Sequence, residues 1–329
     1  MEIIPDVHQV KIPSPYKSEE YVNVYLLKGE EGNILIDAGY DTPEALPTLK
    51  AELGGNNLFK DINYIIVTHA HFDHYGLAAK LKEITGAKLI LHEFERDTIN
   101  FRWVNFNSFM RRVEYHLRQH GASDEDLADF LRVLSSQRQF VVPILPDKTL
   151  KGGEIFPFAP FEFKVLLTPG HSPGHICLHE LERKLLFSGD LILAEGVPII
   201  AALPGYGENP LGDFITSLLP LSDLEISLVL PGHGLIFTEL KQRVQQVLCH
   251  IEGKKKAVAE AVKKAELRTA YQVAREVLLK ENRTSTWEDI SSVRKATTLL
   301  ETISYLQLLL DEGKVEKFIE HDRIFYESH

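Results

Sequence analysis

Along the first ninety residues the apolar positions fall in short runs separated by turn-forming residues, the pattern of strands alternating with helices. "VNVYLLKG" (Val22–Gly29) and "NILIDAG" (Asn33–Gly39) read as adjacent strands joined by the turn around Glu30 to Gly32. "TPEALPTLKAELGG" has a Thr before a Pro at its start and a Gly pair at its end, the signals that open and close a helix. "DINYIIVTH" reads as a buried strand, "YGLAAKLKEITG" as a helix closed by Gly86, and "AKLILHE" as the next strand.

The period changes near Phe94. "TINFRWVNFNSFMRRVEYHLRQHG" (Thr98–Gly121) predicts one long helical run. "SDEDLADFLRVLSSQ" opens with Ser123 and an acid three residues later, as in a capping box. Residues 94–140 therefore form a helical insertion between two strands. Strand patterning resumes in "FEFKVLLTPGH", "ICLHELERKLLFSGD" and "ISLVLPGHG", with "NPLGDFITSLLPL" a helix between the last two. Beyond His233 the chain turns helical and charged. Two helices and two short strands meeting near Glu320 to Asp322 give the order of a winged helix. The division is a catalytic body over 1–240, then a helical linker and winged-helix-like domain over 241–329. No repeat and no low-complexity tract interrupts this order.

An apolar fraction of 44% and a charged fraction of 25% are those of a globular protein. No apolar run reaches the length that spans a bilayer, and "MEIIPDVHQVK" lacks a basic flank followed by an apolar stretch. Cys177 and Cys249 have no pairing pattern, and each reads as a buried structural thiol. The cytoplasm is the compartment these features imply. The net charge is −11, while the stretch from Glu239 onward holds 16 Lys and Arg against 15 Asp and Glu. The body is thus acidic, which disfavours broad binding of nucleic acid and leaves room for a local cationic site.

Chemistry concentrates at strand ends. "VTHAHFDHYG" places His69, His71, Asp73 and His74 directly behind Ile65, Ile66 and Val67. "LTPGHSPGH" adds His171 and His175, "LFSGD" adds Asp190, and "VLPGHG" adds His233. Gly170, Gly189 and Gly232 each precede one of these residues, where a chain leaving a sheet turns sharply. Imidazoles with an ordinary pKa near 6.5 make poor core anchors and good metal ligands. Imidazole and carboxylate suit zinc, with iron and manganese tolerated. The set divides between two divalent ions: His69, His71 and His171 on the first, Asp73, His74 and His233 on the second, with Asp190 bridging. Asp37 and His175 are expected beside the ligands, orienting them. A pair of ions roughly 3.5–4 Å apart can share one solvent molecule, and zinc lowers the pKa of bound water to about 7. Hydroxide bridging the ions would be the nucleophile, with Asp73 and Asp190 fixing geometry and relaying a proton. Ser172, outside any GxSxG elbow, is expected to bond to backbone in its own turn.

HxHxDH, a lone His, an Asp after a strand and a terminal GH resemble the metallo-β-lactamase superfamily from about Met1 to Leu240. The resemblance implies an α/β fold of the α+β kind, a four-layer αβ/βα sandwich of two facing sheets with helices outside, and it assigns the same ligand roles. "TPGHSPGH" and "SGD" are more similar to the glyoxalase II-like hydrolases than to the lactamases. The tail, and "SGDLILAEG", are similar to the branch that includes single-strand-specific endoribonucleases.

Substrate is the open question. The insertion could lie over the cleft as a lid, with Arg102, Trp103, Arg111 and Tyr115 meeting substrate and Tyr206 on a second wall; packing on the body or on a second copy of the chain is its other use. The leading expectation is hydrolysis of an ester, thioester or lactone of a small anionic molecule. A phosphodiesterase or endoribonuclease is the alternative, on the tail. There Lys254, Lys255, Lys256, Arg294 and Lys295 could touch phosphates but read better as a solvated face, and Trp287 and Tyr305 alone could stack bases. The resemblance also admits an iron-dependent sulfur dioxygenase, although di-iron redox members favour Glu where this chain has His71.

Overall fold

The computed structural model describes residues 1–16, 20–53, 56–281 and 286–329. Strands β1 (Glu2–Ile4), β2 (Val7–Pro13), β3 (Tyr21–Gly29), β4 (Gly32–Ile36), β5 (Ile62–Ile66), β6 (Lys88–His92) and β7 (Lys148–Leu150) lie in that order in one sheet. β1 to β4 pair antiparallel, and β4 to β7 pair parallel. The second sheet contains β8 (Ile155–Phe158), β9 (Phe161–Leu167), β10 (Ile176–Glu180), β11 (Leu185–Gly189) and β12 (Leu228–Pro231). Its spatial order is β12-β11-β10-β9-β8, with β11 and β12 parallel. β13 (Val315–Glu320) and β14 (Arg323–Ser328) form a separate hairpin. Sequence reading found β3 to β6 and β9 to β12. It passed over β1, β2, β7 and β8; three of these are only three or four residues long, too short to show a period.

Alternation within the strands builds the layers. Tyr25, Leu27, Ile34, Ile36, Ile66 and Ile90 of the first sheet meet Phe163, Val165, Ile176, Leu178, Phe187 and Leu230 of the second in one buried cluster. The intervening residues Val24, Leu26, Leu35, Ile65 and Leu89 face outward onto helices. These helices are α1 (Ala45–Glu52), α2 (Asn56–Lys60), the single turn α3 (Phe72–Tyr75) and α4 (Ala78–Thr85). Cys177, Leu186 and Val229 face outward from the second sheet and pack with the later helices. Side chains that alternate across a strand can fill two layers at once, and both faces of each sheet are used. The result is the mixed α/β sandwich, helix–sheet–sheet–helix. The stop expected at Gly54 and Gly55 lies outside the described residues.

The insertion departs from the single helix expected. α5 (Glu93–Thr98) passes into a π-helical turn over Ile99–Val104, breaks at Asn105, and restarts as α6 (Phe106–Gln119), followed by α7 (Asp124–Ser136). The extra residue per turn in a π segment rotates its side chains, and both Arg102 and Trp103 point inward. α6 and α7 do not hang free as a lid. Phe109, Val113, Leu117, Leu127 and Phe130 are buried together with residues of α8 (Pro210–Leu218), α9 (Leu240–Val262), α10 (Ala270–Glu281) and α11 (Ser292–Asp311). Ser123 caps α7 by accepting the Asp126 amide, but the reciprocal half of the box is missing. The Asp126 carboxylate instead accepts from Tyr271, from the Trp287 indole at 3.0 Å and from Lys295 at 3.1 Å.

The tail corrects several expectations. Lys254 is nearly buried against Glu301 and Lys295 against Asp126, so neither lies on a solvated face. Trp287 and Tyr305 are also buried and offer no stacking platform. Cys249 is exposed, unlike Cys177. Among the described residues no helix is long and apolar enough to cross a membrane.

Candidate metal centre

Parallel strands carry their C-terminal ends to a common edge, and there the polar segments gather. β5 leads into Thr68–His74, β9 into the loop holding His171 and His175, β11 into Asp190, and β12 into His233. The short α3 begins directly after His71, turning Asp73 and His74 inward. The first sheet also reaches across to hold the last loop. The Asn23 side-chain amide donates to the carbonyls of Pro231 and Gly234 at 2.9 and 3.0 Å, and the Tyr25 hydroxyl donates to Pro231 at 2.8 Å.

Two clusters of donor atoms result. His69, His71 and His171 form one; Asp73, His74, Asp190 and His233 form the other, and within each the ligand atoms lie within 4.8 Å of one another. In the first, His71 Nδ1 is 3.0 Å from His69 Nε2 and 2.9 Å from His171 Nε2. In the second, His74 Nε2 is 3.1 Å from His233 Nε2, and Asp73 Oδ2 is 3.3 Å from His233 Nε2. Asp190 reaches both. Its Oδ2 is 3.5 Å from His171 Nε2 and 3.4 Å from His233 Nε2, and its Oδ1 is 3.4 Å from His74 Nε2.

Hydrogen bonds behind the rings decide which nitrogens face inward. The Thr68 hydroxyl has one proton, which the Asp37 carboxylate accepts at 3.0 Å, so Thr68 Oγ1 accepts from His69 Nδ1 at 3.1 Å. His74 Nδ1 donates to Asp37 Oδ2 at 2.8 Å, and His171 Nδ1 donates to the Ile199 carbonyl at 3.0 Å. The rings of His69 and His171 turn an unprotonated Nε2 into the cluster, and His74, its Nδ1–H committed to Asp37, presents Nε2 to the other. Burial, then the neighbouring imidazoles, holds His69 and His71 well below the ordinary histidine pKa; Arg102 adds to the effect at His71. Burial would lower His74 as well, but Asp190, Asp37 and Asp73 outweigh it and hold that ring well above. For Asp190, His233 and His74 overcome burial and keep the carboxyl well below its usual range.

These residues fit a pair of ions. Donors on a tetrahedral ion at about 2.0–2.1 Å lie about 3.3 Å apart, close to the spacings seen. Asp73 Oδ1 is buried with no hydrogen-bond partner, a costly state for a carboxylate oxygen unless something cationic meets it. A dinuclear metal-binding cluster of histidines and aspartates is present.

Asp37 and His175 stand behind the donors. Asp37 adopts φ 61°, which aims its carboxylate at His74 and at the Thr68 amide, 2.7 Å away. His175 Nε2 accepts the Asp190 amide at 3.0 Å, and its Nδ1 lies 2.8 Å from the Thr168 hydroxyl. Burial, then His171, pushes the His175 pKa down to about 3, so the ring is a neutral acceptor. The glycines differ in their reasons. Gly189 has φ 47°, and a Cβ there would sit 2.6 Å from His175 Nε2. Gly232 needs no special φ; a Cβ would lie 2.5 Å from His74 Cε1 and 2.7 Å from Asp190 Oδ1. Close approach fixes that glycine.

Of the residues expected to meet substrate, Tyr206 lies at the cluster, its hydroxyl 3.2 Å from His71 Nε2. Trp103 does not line a cleft. It is buried, and its indole donates to the Ala70 carbonyl at 2.8 Å. Arg102 is buried too, bonded to Tyr206 and Gln137. Tyr115 donates to Asp322 in the C-terminal hairpin, and Arg111 is exposed on the same helix. Sequence reading missed Glu95. Its carboxylate accepts the Ala70 amide at 2.6 Å, the Gly174 amide at 2.8 Å and the Ser172 hydroxyl at 2.7 Å, tying the two histidine loops together. Ser172 thus bonds to a side chain from another element, not to its own turn. Nothing in "HEFERDT" separates Glu95 from its neighbours Glu93 and Asp97, because only the fold buries it.

The sequence pattern of the metallo-beta-lactamase superfamily matches residues 18–233. The chain is 26% identical over 330 residues to a probable metallo-hydrolase of Bacillus subtilis (strain 168), YqjP, covering 98% of each. It is 27% identical over 230 residues to an acyl-coenzyme A thioesterase of Gallus gallus, MBLAC2, covering 68% of this chain and 76% of that one. A solved metallo-beta-lactamase family protein of Thermus thermophilus superposes with a TM-score of 0.85 at 27% identity, covering 100% of both chains.

Proposed function

The chain belongs to the metallo-β-lactamase superfamily, and from that premise we propose that it hydrolyses an ester, thioester or lactone bond of a small anionic substrate. The observation that carries the reading is Asp190, whose two carboxylate oxygens reach histidines of both donor clusters within 3.5 Å. The chemistry that two divalent ions, zinc in our reading, would supply there is hydroxide at neutral pH and polarisation of a carbonyl oxygen. His69, His71 and His171 would hold one, Asp73, His74 and His233 the other, with Asp190 between them. Asp73 and Asp190 would fix the geometry of the pair and relay a proton. Asp37 and His175 keep His74 and Asp190 in place.

Charge supports an anionic substrate. With two divalent ions bound, five neutral imidazoles and the two carboxylates of Asp73 and Asp190 would leave an excess of two positive charges, so the cleft would attract anions although the protein is acidic. The thioesterase named among the relatives supports a thioester within this class. An endoribonuclease is the weaker reading. The tail runs through α9, α10 and α11 to the β13–β14 hairpin, and several of its cations are paired with acids: Lys255 with Glu252 and Glu312, Arg268 with Glu276, Arg294 with Glu281. A phosphate-binding face needs cations free for phosphates. We place the enzyme in the cytoplasm.

The test is elemental analysis of the purified protein coupled to turnover on a thioester, a lactone, a phosphodiester and single-stranded RNA. Two ions per chain and thioester or lactone turnover, lost in Asp73→Ala with the fold intact, are expected. RNA cleavage alone, bound iron with oxygen uptake, or full turnover by Asp73→Ala would overturn the reading.

A further inference from the structure

His71 is the one histidine of the first cluster that faces it through Nδ1, and what stands behind its Nε2 is unlike anything behind the others. His69 and His171 are backed by a hydroxyl and a backbone carbonyl, and His74 by the Asp37 carboxylate. Behind His71 lies the Tyr206 hydroxyl, and behind that a buried guanidinium. Arg102 Nη1 donates to Tyr206 Oη at 2.6 Å, and Nη2 donates to Gln137 Oε1 at 2.8 Å. Arg102 is only 4% exposed, packs over the Trp103 ring, and has no carboxylate partner among the described residues. Burying a cation without an ion-pair partner is costly, so its place asks for a reason.

The hydrogen-bond logic supplies one. A phenol oxygen can accept twice and donate once. Arg102 can only donate, so it occupies one acceptor position of Tyr206. If Tyr206 then donated to His71 Nε2, the neutral ring would carry its proton on Nδ1, in the middle of the donor cluster. If Tyr206 accepts from Nε2–H, Nδ1 is left bare toward His69 and His171. The guanidinium bonded to the phenol oxygen pins it, and the second N–H, tied to Gln137, fixes the direction from which the hydroxyl meets His71 Nε2.

Building on the dinuclear reading above, we propose that Arg102 and Tyr206 are positioning residues that hold the His71 ring at its Nε2, with Nδ1 turned to His69 and His171, and so set the metal affinity of the His69, His71, His171 site. Both Arg102 and Gln137 come from the insertion, so docking of α5 to α7 on the body is coupled to metal uptake at that site.

The test is stepwise Co(II) titration of the whole chain against a chromophoric chelator, reading stoichiometry and absorption for wild type, Tyr206→Phe, Arg102→Met and Arg102→Lys. The Phe variant keeps the ring and its packing. Absorption separates an all-histidine site from one with carboxylates. We expect two ions in wild type, and a loss of about 10–100-fold in affinity at the all-histidine site in the Phe and Met variants. The carboxylate-containing site stays at wild-type affinity, and Lys restores part of the loss. Two ions bound at wild-type affinity in Tyr206→Phe would overturn the inference. So would equal weakening of both sites, or tighter binding in Arg102→Met, which would make charge repulsion the larger effect. A wild type that binds no pair of ions would instead refute the dinuclear reading itself.

Discussion

Replacing Asp37 with Asn removes one charge and changes one atom, and its consequence for the centre can be worked out from the hydrogen bonds. Asp37 Oδ1 accepts the Thr68 amide at 2.7 Å, and Oδ2 accepts His74 Nδ1–H at 2.8 Å. Asn tolerates the left-handed conformation at φ 61° as well as Asp does, so the backbone has no reason to move. If the Asn oxygen stays on the Thr68 amide, its NH₂ faces His74 Nδ1. The ring must then accept there and carry its proton on Nε2, the atom turned toward His233 and Asp190. If the amide is flipped, the NH₂ opposes the Thr68 N–H, and the strand end that delivers His69 loses its anchor. The first arrangement forfeits one charge-assisted bond, about 1.5–3 kcal/mol. At about 1.4 kcal/mol per tenfold, that is about 10–100-fold in affinity for an ion that Asp73, His74 and His233 would hold. Chelator competition and metal stoichiometry measure it, with a thermal melt to confirm folding. An Asp37→Asn protein that binds two ions as tightly as wild type would refute this account of the site.

Three further outcomes follow from other contacts. Gly232→Ala places a methyl against His74 and Asp190, and should lower metal content and turnover while shifting the melting temperature little; unchanged turnover would mean the loop yields freely. Asp126→Ala strands the buried Lys295 ammonium and should cost about 3–5 kcal/mol in unfolding free energy by urea denaturation. A cost under about 1 kcal/mol would mean water or a rotamer change rescues the lysine. For Glu276, burial acts upward but Lys264, Arg268 and Lys280 hold the carboxyl down to about 2, from an ordinary 4.5. A depressed folded pKa stabilises above the unfolded value, so the advantage of wild type over Glu276→Gln should be full above about pH 4.5 and vanish as the pH falls toward 2. A difference that persists unchanged to pH 2 would assign it to packing.

The donor set was legible because its signal is local. Four donor side chains within six residues, and glycines ahead of three others, survive without any knowledge of neighbours. Strands with strict alternation were legible for the same reason. Even there one glycine misled: Gly170 and Gly189 do carry positive φ, whereas Gly232 is kept by the ring pressed against it. The helical period of the insertion was read as continuous through Ile99–Val104, since a π turn leaves no mark on the apolar pattern. Trp103 looked like a substrate wall because aromatic residues serve cores and clefts alike, and only burial separates the two uses.

What the amino-acid order settled by itself is which residues could offer donors to a metal and the class of fold that could gather them, because both depend on residue type and short spacing. The tertiary structure alone decided how those atoms are held. Asp37, Thr68, Glu95, His175, Arg102 and Tyr206 act on ligands up to 135 positions away, through hydrogen bonds that exist only once separate strand ends meet at one edge. A carboxylate or phenol acquires such a role from its distance and direction to a partner, and neither quantity is encoded until the chain has folded.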